Sequence, residues 1–288
     1  MNDPPLMKGK TCLVTGSTSG HGLAVAEALG RLGADIIIHG PDRPSCDAAR
    51  ERIGSLTGER PGVIVCDFAS RRDIARAAGE FLSLNRPVHV LVNNAGMVNQ
   101  HLRLSADGIE ETFAVNYLAM FQFTLLVLPR VIGAAPARIV NVGSDAHMIA
   151  SIDLGDIDGS RKKYSIMGSY GRSKLAVAYF TRELARRLAG TGVTVNAVDP
   201  GPMATNIANK PELLPRIANA VIKRTFPPPA RAARTAVHLA ISPDVEGVSG
   251  GYFRFMKMKE PRLRAADPPF GARLWEASAR ITGADYPG

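Results

Sequence analysis

Tyr170 and Lys174 are the residues whose types and spacing point most directly to chemistry. They are four positions apart, so in a helix they would share one face. A free tyrosine has a pKa of about 10 and is a poor base at neutral pH. A neighbouring ammonium group stabilises the phenolate and lowers that pKa, which favours proton exchange. The pair therefore predicts proton donation to a carbonyl oxygen in reduction, or removal of the proton of an alcohol in oxidation.

Ser144 and Asn116 are further polar candidates on neighbouring elements. Ser144 ends the apolar run VNVGS and would hydrogen-bond the same substrate oxygen. Taken singly, each of these features has an ordinary structural explanation. A Tyr–Lys pair usually lies on a helix surface, Ser144 could cap a helix, and Asn116 could form structural hydrogen bonds. Because all four residues lie on successive elements around one predicted cleft, together they predict a catalytic site.

A glycine-rich segment, TGSTSGHG at residues 15–22, follows the first apolar run and leads into a helix-length segment. Gly16 allows a sharp turn, and Gly20 and Gly22 allow the backbone to approach a pyrophosphate and the helix to pack on the sheet. The N-terminus of that helix supplies free N–H groups and the positive end of its dipole to the phosphates. In this strand–turn–helix context the segment predicts dinucleotide binding, and a purely structural turn is disfavoured.

Short apolar runs alternate with helix-length segments along the first two thirds of the chain. The predicted strands lie at 11–15, 34–39, 62–66, 88–93, 138–143 and 193–198, with a seventh at 250–255. The predicted helices lie at 20–32, 45–56, 71–84, 107–132 and 169–190. This alternation predicts an α/β fold, a Rossmann-like, doubly wound and mostly parallel sheet of seven strands with helices on both faces. Because no linker rich in Gly, Ser or Pro interrupts it, residues 1–288 are predicted to form one domain.

Two segments break this alternation, residues 203–230 and a C-terminal extension at 256–288. Insertions after the carboxyl ends of parallel strands are where such sheets bind ligands. The apolar face of the first segment suits a lid over a lipophilic substrate and, equally, packing on the body of the protein. That face consists of Ile207, Leu213, Leu214, Ile217, Val221 and Ile222.

Motifs along most of the chain resemble the short-chain dehydrogenase/reductase superfamily in order and position. They are TGxxxGxG at 15–22, NNAG at 93–96, VNVGS at 140–144, YGRSK at 170–174 and DPGPMATN at 199–206. SIDLGDIDG, SKLAVAYF and GARLWEASARITG resemble the retinol-dehydrogenase-like branch. The resemblance implies an NAD(P)-dependent oxidoreductase that transfers a hydride between a nicotinamide and a lipophilic carbonyl or alcohol, with a ketoreductase of secondary or lipid metabolism as the favoured case.

The resemblance also implies roles for individual residues. The catalytic set is Asn116, Ser144, Tyr170 and Lys174. Lys174 would also bond the nicotinamide ribose, and Asn116 would anchor a water that relays protons from it. The implied cofactor-binding set is Gly16, Ser17, Ser19, Gly20, His21, Gly22, Arg43, Asp67, Phe68, Asn94, Ala95, Gly96, Tyr170, Lys174, Pro200, Gly201 and Thr205.

Two positions depart from the family pattern. His21 stands where an aliphatic residue is usual, and we interpret it as a tolerated variant whose backbone still serves the phosphate. At the end of the second strand the sequence HGPDR has Gly40 where an acid would mark NAD use. His39 or Arg43 could reach a 2′-phosphate, whereas Asp42 could bind a 2′-hydroxyl. The balance favours NADP(H) over NAD(H).

Composition limits the remaining classes of function. With 45% hydrophobic and 21% charged residues, the chain is predicted to be globular with a sizeable core. The net charge is +9, but the basic residues are scattered and form no nucleic-acid motif, so no nucleic-acid partner is expected. The three cysteines have no metal-ligand spacing, and no metal is expected. Since we find neither a signal peptide nor an apolar run approaching about 20 residues, we predict a cytoplasmic protein without stable membrane insertion.

Other readings stay open beside the oxidoreductase. An epimerase, a dehydratase or an imine reductase on the same fold could use the same tyrosine and lysine. A non-catalytic dinucleotide-binding sensor would be expected to have lost the Ser–Tyr–Lys set, which is intact here. A homodimer is predicted through helices 107–132 and 169–190, with Leu118, Phe121 and Phe123 available to the partner.

Overall fold

One eight-stranded sheet organises the chain. The computed structural model describes residues 6–159, 163–201, 228–261, 263 and 268–287. The strands are β1 Thr11–Val14, β2 Asp35–Gly40, β3 Gly62–Val65, β4 Val90–Asn93, β5 Ala137–Val142, β6 Val193–Asp199, β7 Tyr252–Arg254 and β8 Lys257–Lys259. Their order is β3-β2-β1-β4-β5-β6-β7-β8, with every neighbouring pair parallel except β7 and β8. The predicted Rossmann-like fold class is confirmed, with one strand more than expected.

Helices cover both faces of the sheet, as its continuous apolar strands require. They are α1 Gly20–Arg31, α2 Arg43–Thr57, α3 Arg71–Ser83, α4 Glu111–Ile132, α5 Ile166–Arg187, α6 Pro229–Ile241 and α7 Pro268–Thr282. One hydrophobic core lies under α1, α2 and α6, and a larger one under α3, α4, α5 and α7. Most of segment 203–230, including its predicted apolar face, lies outside the described residues.

The strand absent from the prediction is β8. It pairs antiparallel with β7, with Arg254 opposite Lys257, so only Phe255 and Met256 connect the two strands. All three residues of β8 are exposed. A three-residue strand of two lysines and one methionine lacks the apolar run that marks the buried strands, so the sequence pattern gave no reason to expect it.

Helix α4 is the most apolar helix among the described residues. It has 22 residues and is long and apolar enough to cross a membrane, which corrects the expectation that no such run exists. However, 78% of its most apolar window is buried inside the protein, as in the core helix of a folded domain. A π-helical turn interrupts it at Ala114–Leu118, and such turns often occur at functional sites.

The C-terminal helix α7 covers the face of α4 and α5 that was expected to meet a second copy. The Trp275 ring lies 4.9 Å from that of Phe121 and stacks on Phe180 at 5.7 Å. Leu118 is 2% exposed, and Phe121 and Phe123 are fully buried. The prediction that these three side chains are available to a partner is therefore wrong, because all three are buried within the chain, Phe121 beneath Trp275 and Phe123 beside Phe68.

Candidate active site

A cavity of about 510 Å³ runs along the carboxyl edge of the sheet, where β1, β2, β3, β4 and β5 end. Ligands of open α/β sheets bind at this edge. The predicted site residues that line it are Gly16, Ser19, Gly20, His21, Gly22, Asp67, Phe68, Asn94, Ala95, Gly96, Tyr170, Lys174 and Pro200. We call the part near His39, Asp67 and Phe68 the β3 end, and the part near Tyr170 and Lys174 the β5 end.

The turn between β1 and α1 requires glycine for space as well as conformation. Gly16 has a φ of +60°, and a Cβ added there would lie 2.7 Å from the Cα of Ala95. A Cβ on Gly22 would lie 2.2 Å from Nδ2 of Asn94. Ser19, the N-cap of α1, makes no side-chain capping bond, and the first turn of α1 has no acidic residue. The turn therefore fits the pyrophosphate of a dinucleotide. The phosphate oxygens would accept hydrogen bonds from the free N–H groups at the start of α1.

Asn94 and His21 brace this turn. Nδ2 of Asn94 donates to the carbonyl oxygens of Thr15 (2.8 Å) and Gly16 (3.0 Å). This arrangement turns Oδ1 of Asn94 toward Nδ1 of His21, 2.8 Å away, so Nδ1 carries the proton. Burial lowers the pKa of His21, which is therefore neutral at pH 7. His21 lines the cavity, but its side chain serves the turn, in agreement with its interpretation as a tolerated variant.

Ser17 and His39 connect β1 to β2 through hydrogen bonds of their side chains. The Ser17 hydroxyl is fully buried, donates to the Val14 carbonyl at 2.8 Å and accepts from the backbone N–H of His39 at 3.0 Å. Nδ1 of His39 accepts from the backbone N–H of Gly16, and its ring lies 4.2 Å from Phe68. Burial lowers the pKa of His39 to about 4. His39 is therefore uncharged at neutral pH and offers no cation to a 2′-phosphate, contrary to expectation.

Arg43 also differs from its predicted position. Its Nε lies 2.9 Å from Oδ2 of Asp47, its side chain is exposed, and it is not among the residues that line the cavity. Asp42 caps α2, since its Oδ1 accepts from the backbone N–H of Ser45 at 2.8 Å. A Cβ on Gly40 would lie 2.4 Å from Cγ2 of Thr18, so no acidic side chain fits there.

At the β5 end, Ser144 and Tyr170 come together as predicted. The side chain of Ser144 hydrogen-bonds the Tyr170 hydroxyl, which favours the ionised form of the tyrosine. Burial acts in the opposite direction and outweighs this bond, so the pKa of Tyr170 is raised from its ordinary value. The predicted lowering of that pKa is therefore not found, because the lysine ammonium is directed elsewhere.

Lys174 lies beneath this pair. Its Nζ donates to the carbonyl oxygen of Val142 at 2.8 Å and lies 5.7 Å from the centre of the Tyr170 ring. Burial lowers the pKa of Lys174 to about 8, although the negative charge of Asp199 opposes that shift. Asp199 is itself buried, which raises its pKa, and its Oδ1 accepts from the backbone N–H of Gly201 at 2.9 Å.

Asn116 lies in the π-helical turn of α4, and both polar atoms of its side chain form hydrogen bonds within the protein. Oδ1 accepts from the backbone N–H of Met97 at 2.7 Å, while Nδ2 donates to the Met97 carbonyl and to Oγ of Ser173. A water held at this residue would therefore have to bind its main-chain carbonyl. Thr205 lies outside the described residues.

Several lining residues were not singled out in the sequence. They are Thr18, Pro41, Cys66, Ala69, Met97, Val98, Glu111, Val115, Val142 and Gly143. Most of them adjoin a motif in the chain, so the flanks of the motifs were the available signal. Val115 adjoins Asn116, but Glu111 lacked even that signal, because its helix turn approaches the cavity only in the folded structure.

A cavity shaped for a dinucleotide, with a serine, a tyrosine and a lysine at one end, defines a nicotinamide-dependent oxidoreductase of the Rossmann type. The family model for short chain dehydrogenases matches residues 10–213. The chain belongs to the short chain dehydrogenase family, whose members use NAD(P)(H).

Known proteins similar to the chain cover almost all of it. Retinol dehydrogenase 14 of Homo sapiens is 40% identical over 98% of this chain and 88% of its own length. Polyprenol dehydrogenase of Mus musculus is 36% identical over 97% of this chain and 86% of its own length. A crystal structure from Mycobacterium paratuberculosis superposes with a TM-score of 0.78 at 27% identity, over 99% of this chain and 98% of the other. The predicted superfamily and branch are confirmed.

These relatives contradict the predicted cytoplasmic location. Retinol and polyprenols are alcohols with long apolar chains, which leave water for the interior of a membrane. The prediction also depended on the absence of a long apolar helix, whereas α4 is one by length and composition. The cytoplasmic assignment is therefore wrong.

Proposed function

We propose that the chain, acting as one domain, is an NADP(H)-preferring reductase that converts the carbonyl of a bulky lipophilic substrate to an alcohol. The observation that carries the proposal is the Tyr170 hydroxyl, which is bonded to Ser144 at one end of a dinucleotide-sized cavity, with the Lys174 ammonium below it. Asn116, Ser144, Tyr170 and Lys174 form the catalytic set. Tyr170 holds the proton that the substrate oxygen receives.

The four catalytic residues have distinct roles in this proposal. When bound, the nicotinamide supplies the hydride to the carbonyl carbon. Ser144 and Tyr170 both hydrogen-bond the carbonyl oxygen and hold it in place. Lys174 binds the ribose and returns a proton toward Tyr170, and the main chain at Asn116 holds the relaying water. Tyr170 is protonated at neutral pH, as donation to the substrate oxygen in reduction requires.

The substrate class is supported by the relatives. Retinol dehydrogenase 14 and polyprenol dehydrogenase are named for alcohols with long apolar chains. Such substrates need a site in which the reacting oxygen meets polar groups and the remainder meets apolar ones. A homodimer stays a prediction, and it would have to use a surface other than the one that α7 covers.

The preference for NADP(H) is supported at the β3 end. An acid that would hydrogen-bond the 2′-hydroxyl of NAD is missing at Gly40, where Thr18 leaves no room for one. The next acid along the chain, Asp42, caps α2 and is not among the residues that line the cavity. No carboxylate at the end of β2 therefore lies in the cavity wall to repel a 2′-phosphate.

The test is nicotinamide oxidation by purified protein with NADPH and NADH separately, against a panel of lipophilic ketones and aldehydes. We expect substrate-dependent oxidation that is faster with NADPH and that falls at least about a hundredfold in Tyr170→Phe. Tyr179→Phe is the matched control, since Tyr179 lies on the same helix but packs against Phe270 outside the cavity. It should retain the wild-type rate.

Cofactor binding without turnover of any panel member would contradict the reductase and favour the dinucleotide-binding sensor. Product formation without net nicotinamide oxidation would favour an epimerase or a dehydratase. Equal rates in Tyr170→Phe and the wild type would remove Tyr170 from the mechanism.

A further inference from the structure

The turn between β7 and β8 holds two large apolar side chains in an unfavourable backbone conformation. Phe255 and Met256 have φ values of 51° and 61°, both in the left-handed region. Two-residue hairpin turns of this kind strongly prefer Asn-Gly, because bulky residues are strained there. Nevertheless both side chains are exposed, Phe255 by 64% and Met256 by 40%. Neither turn geometry nor burial in the protein accounts for these two residue types.

The hairpin is fixed beside the active site. A Cβ on Gly201 would lie 3.6 Å from the Phe255 ring, and the preceding residue, Pro200, lines the cavity. The Arg254 guanidinium anchors the base of the turn through Asp145 and through Oδ2 of Asp199, the latter at 3.4 Å. The tip therefore projects from the same edge of the sheet at which the cavity opens.

Other exposed apolar side chains gather at this edge. Among the described residues, seven of the eleven exposed large hydrophobic side chains follow the carboxyl ends of β4, β5 or β7. They are Leu102, Leu104, Ile149, Ile166, Met167, Phe255 and Met256. An eighth, Met258, lies within β8 opposite Phe253. The other three, Leu6, Leu56 and Leu84, lie before β1 or at the ends of helices, toward the opposite edge. Such a one-sided distribution is typical of a surface that contacts an apolar partner.

The charge of the hairpin segment indicates what that partner is. The hairpin sequence RFMKMK at 254–259 has three basic residues and no acidic one, interleaved with apolar ones. Arg254 and Lys259 pair with Asp145, whereas Lys257 is exposed beside the turn. Lysines beside exposed aromatic and aliphatic side chains suit the interface of an anionic bilayer, where apolar groups enter and ammonium groups meet phosphates. Double-stranded nucleic acid would offer the charge but no apolar medium for Phe255 and Met258.

We propose that the β7–β8 hairpin, through Phe255, Met256, Lys257 and Met258, docks the protein on the surface of an anionic lipid bilayer with the cavity edge facing the lipid. A lipophilic substrate would then reach the site from the membrane without crossing water. Docking goes beyond the proposed function. Because membrane binding is measured without turnover, a negative result for docking would not contradict the proposed reductase activity, and a negative result for the activity would not contradict docking.

The test is co-sedimentation of the full chain with vesicles of phosphatidylcholine alone or mixed with phosphatidylglycerol. We expect binding to the mixed vesicles that weakens as salt is raised. Lys257→Gln should lower the partition coefficient about fivefold. Phe255→Asn/Met256→Gly should lower it at least about tenfold. The double variant Leu56→Ser/Leu84→Ser removes equally exposed apolar groups from the opposite edge and should bind as the wild type does.

The Asn-Gly variant also separates docking from folding. Because Asn-Gly suits this turn, Phe255→Asn/Met256→Gly should raise Tm while it weakens vesicle binding. A lower Tm would assign the two side chains to packing within the protein and overturn the proposal. Absence of wild-type binding to mixed vesicles, undiminished binding in the variant, or binding to double-stranded DNA in place of vesicles would overturn it as well.

Discussion

At the β3 end of the cavity the buried side chains are uncharged and the carboxylate of Asp67 is exposed, whereas at the β5 end buried ionisable groups line or adjoin the cavity. His39 is neutral and stacks on Phe68, and its nitrogen is used by the turn at Gly16. Lys174 and Asp199, in contrast, are buried with shifted pKa values. This difference indicates that the shape of the cavity selects the ligand at the β3 end, while electrostatics controls proton transfer at the β5 end. Substitutions at the two ends should therefore affect different kinetic quantities.

The largest expected effect is at the β5 end. Ser144→Ala removes the hydroxyl that bonds Tyr170, so one donor to the reacting oxygen is lost. We expect kcat to fall roughly a hundredfold or more while the Kd of the cofactor stays unchanged. Ser151→Ala, an exposed serine of the following loop, is the control for steady-state kinetics. A change in cofactor Kd larger than the change in kcat would contradict the division between the two ends.

The next effect concerns the turn that joins the ends. Gly22→Ala places a methyl group 2.2 Å from Nδ2 of Asn94 and 2.4 Å from the Gly16 carbonyl, so the turn must move. Fluorescence titration should show cofactor affinity weakened roughly tenfold to a hundredfold. Gly79→Ala is the matched control, because nothing lies within 4 Å of a Cβ there. Wild-type affinity in Gly22→Ala would show that the turn does not approach the ligand closely.

The residues in these two predictions illustrate what can be predicted from the sequence alone. The four-residue spacing of Tyr170 and Lys174 and the glycines of the first turn follow from local geometry, so both could be predicted. The ion pair of Arg43 with Asp47 has the same four-residue spacing within one helix, so it could also have been predicted. The partner of Trp275 could not, since Trp275 reaches Phe121 from a helix far along the chain and that contact depends on which surfaces meet after folding.

The pKa of Tyr170 was predicted in the wrong direction for a related reason. Spacing places the lysine near the tyrosine, but it does not reveal that burial outweighs the charge or that Nζ turns to the Val142 carbonyl. Likewise, β8 has no apolar periodicity and exists only because β7 offers it an edge.

A smaller effect is expected in the pH dependence of the β5 end. Burial favours neutral Lys174, so its proton is lost as pH rises through about 8, and kcat/KM for reduction should fall above that pH. The charge of Asp199 raises this pKa, so Asp199→Asn should move the falling limb to lower pH. Asp47→Asn, a partly exposed residue that does not line the cavity, should leave the profile unchanged. A shift to higher pH in Asp199→Asn would contradict the assigned electrostatics.

The smallest effect is expected at the β3 end. Because Arg43 is exposed, paired with Asp47 and outside the cavity lining, Arg43→Ala should change the ratio of NADPH to NADH affinity by less than about fivefold. Arg52→Ala, another exposed arginine in an ion pair, serves as the control in the same titration. A larger loss confined to NADPH would mean that Arg43 leaves Asp47 to bind a 2′-phosphate.

The most direct test of the central claim is the fate of deuterium carried at both positions on C4 of the nicotinamide of NADPH. Mass spectrometry of the alcohol formed from a lipophilic ketone should find the label on the former carbonyl carbon, with wild-type protein and Tyr179→Phe but not with Tyr170→Phe. Product that forms without the label, or labelled product that forms equally well with Tyr170→Phe, would contradict hydride transfer assisted by that tyrosine.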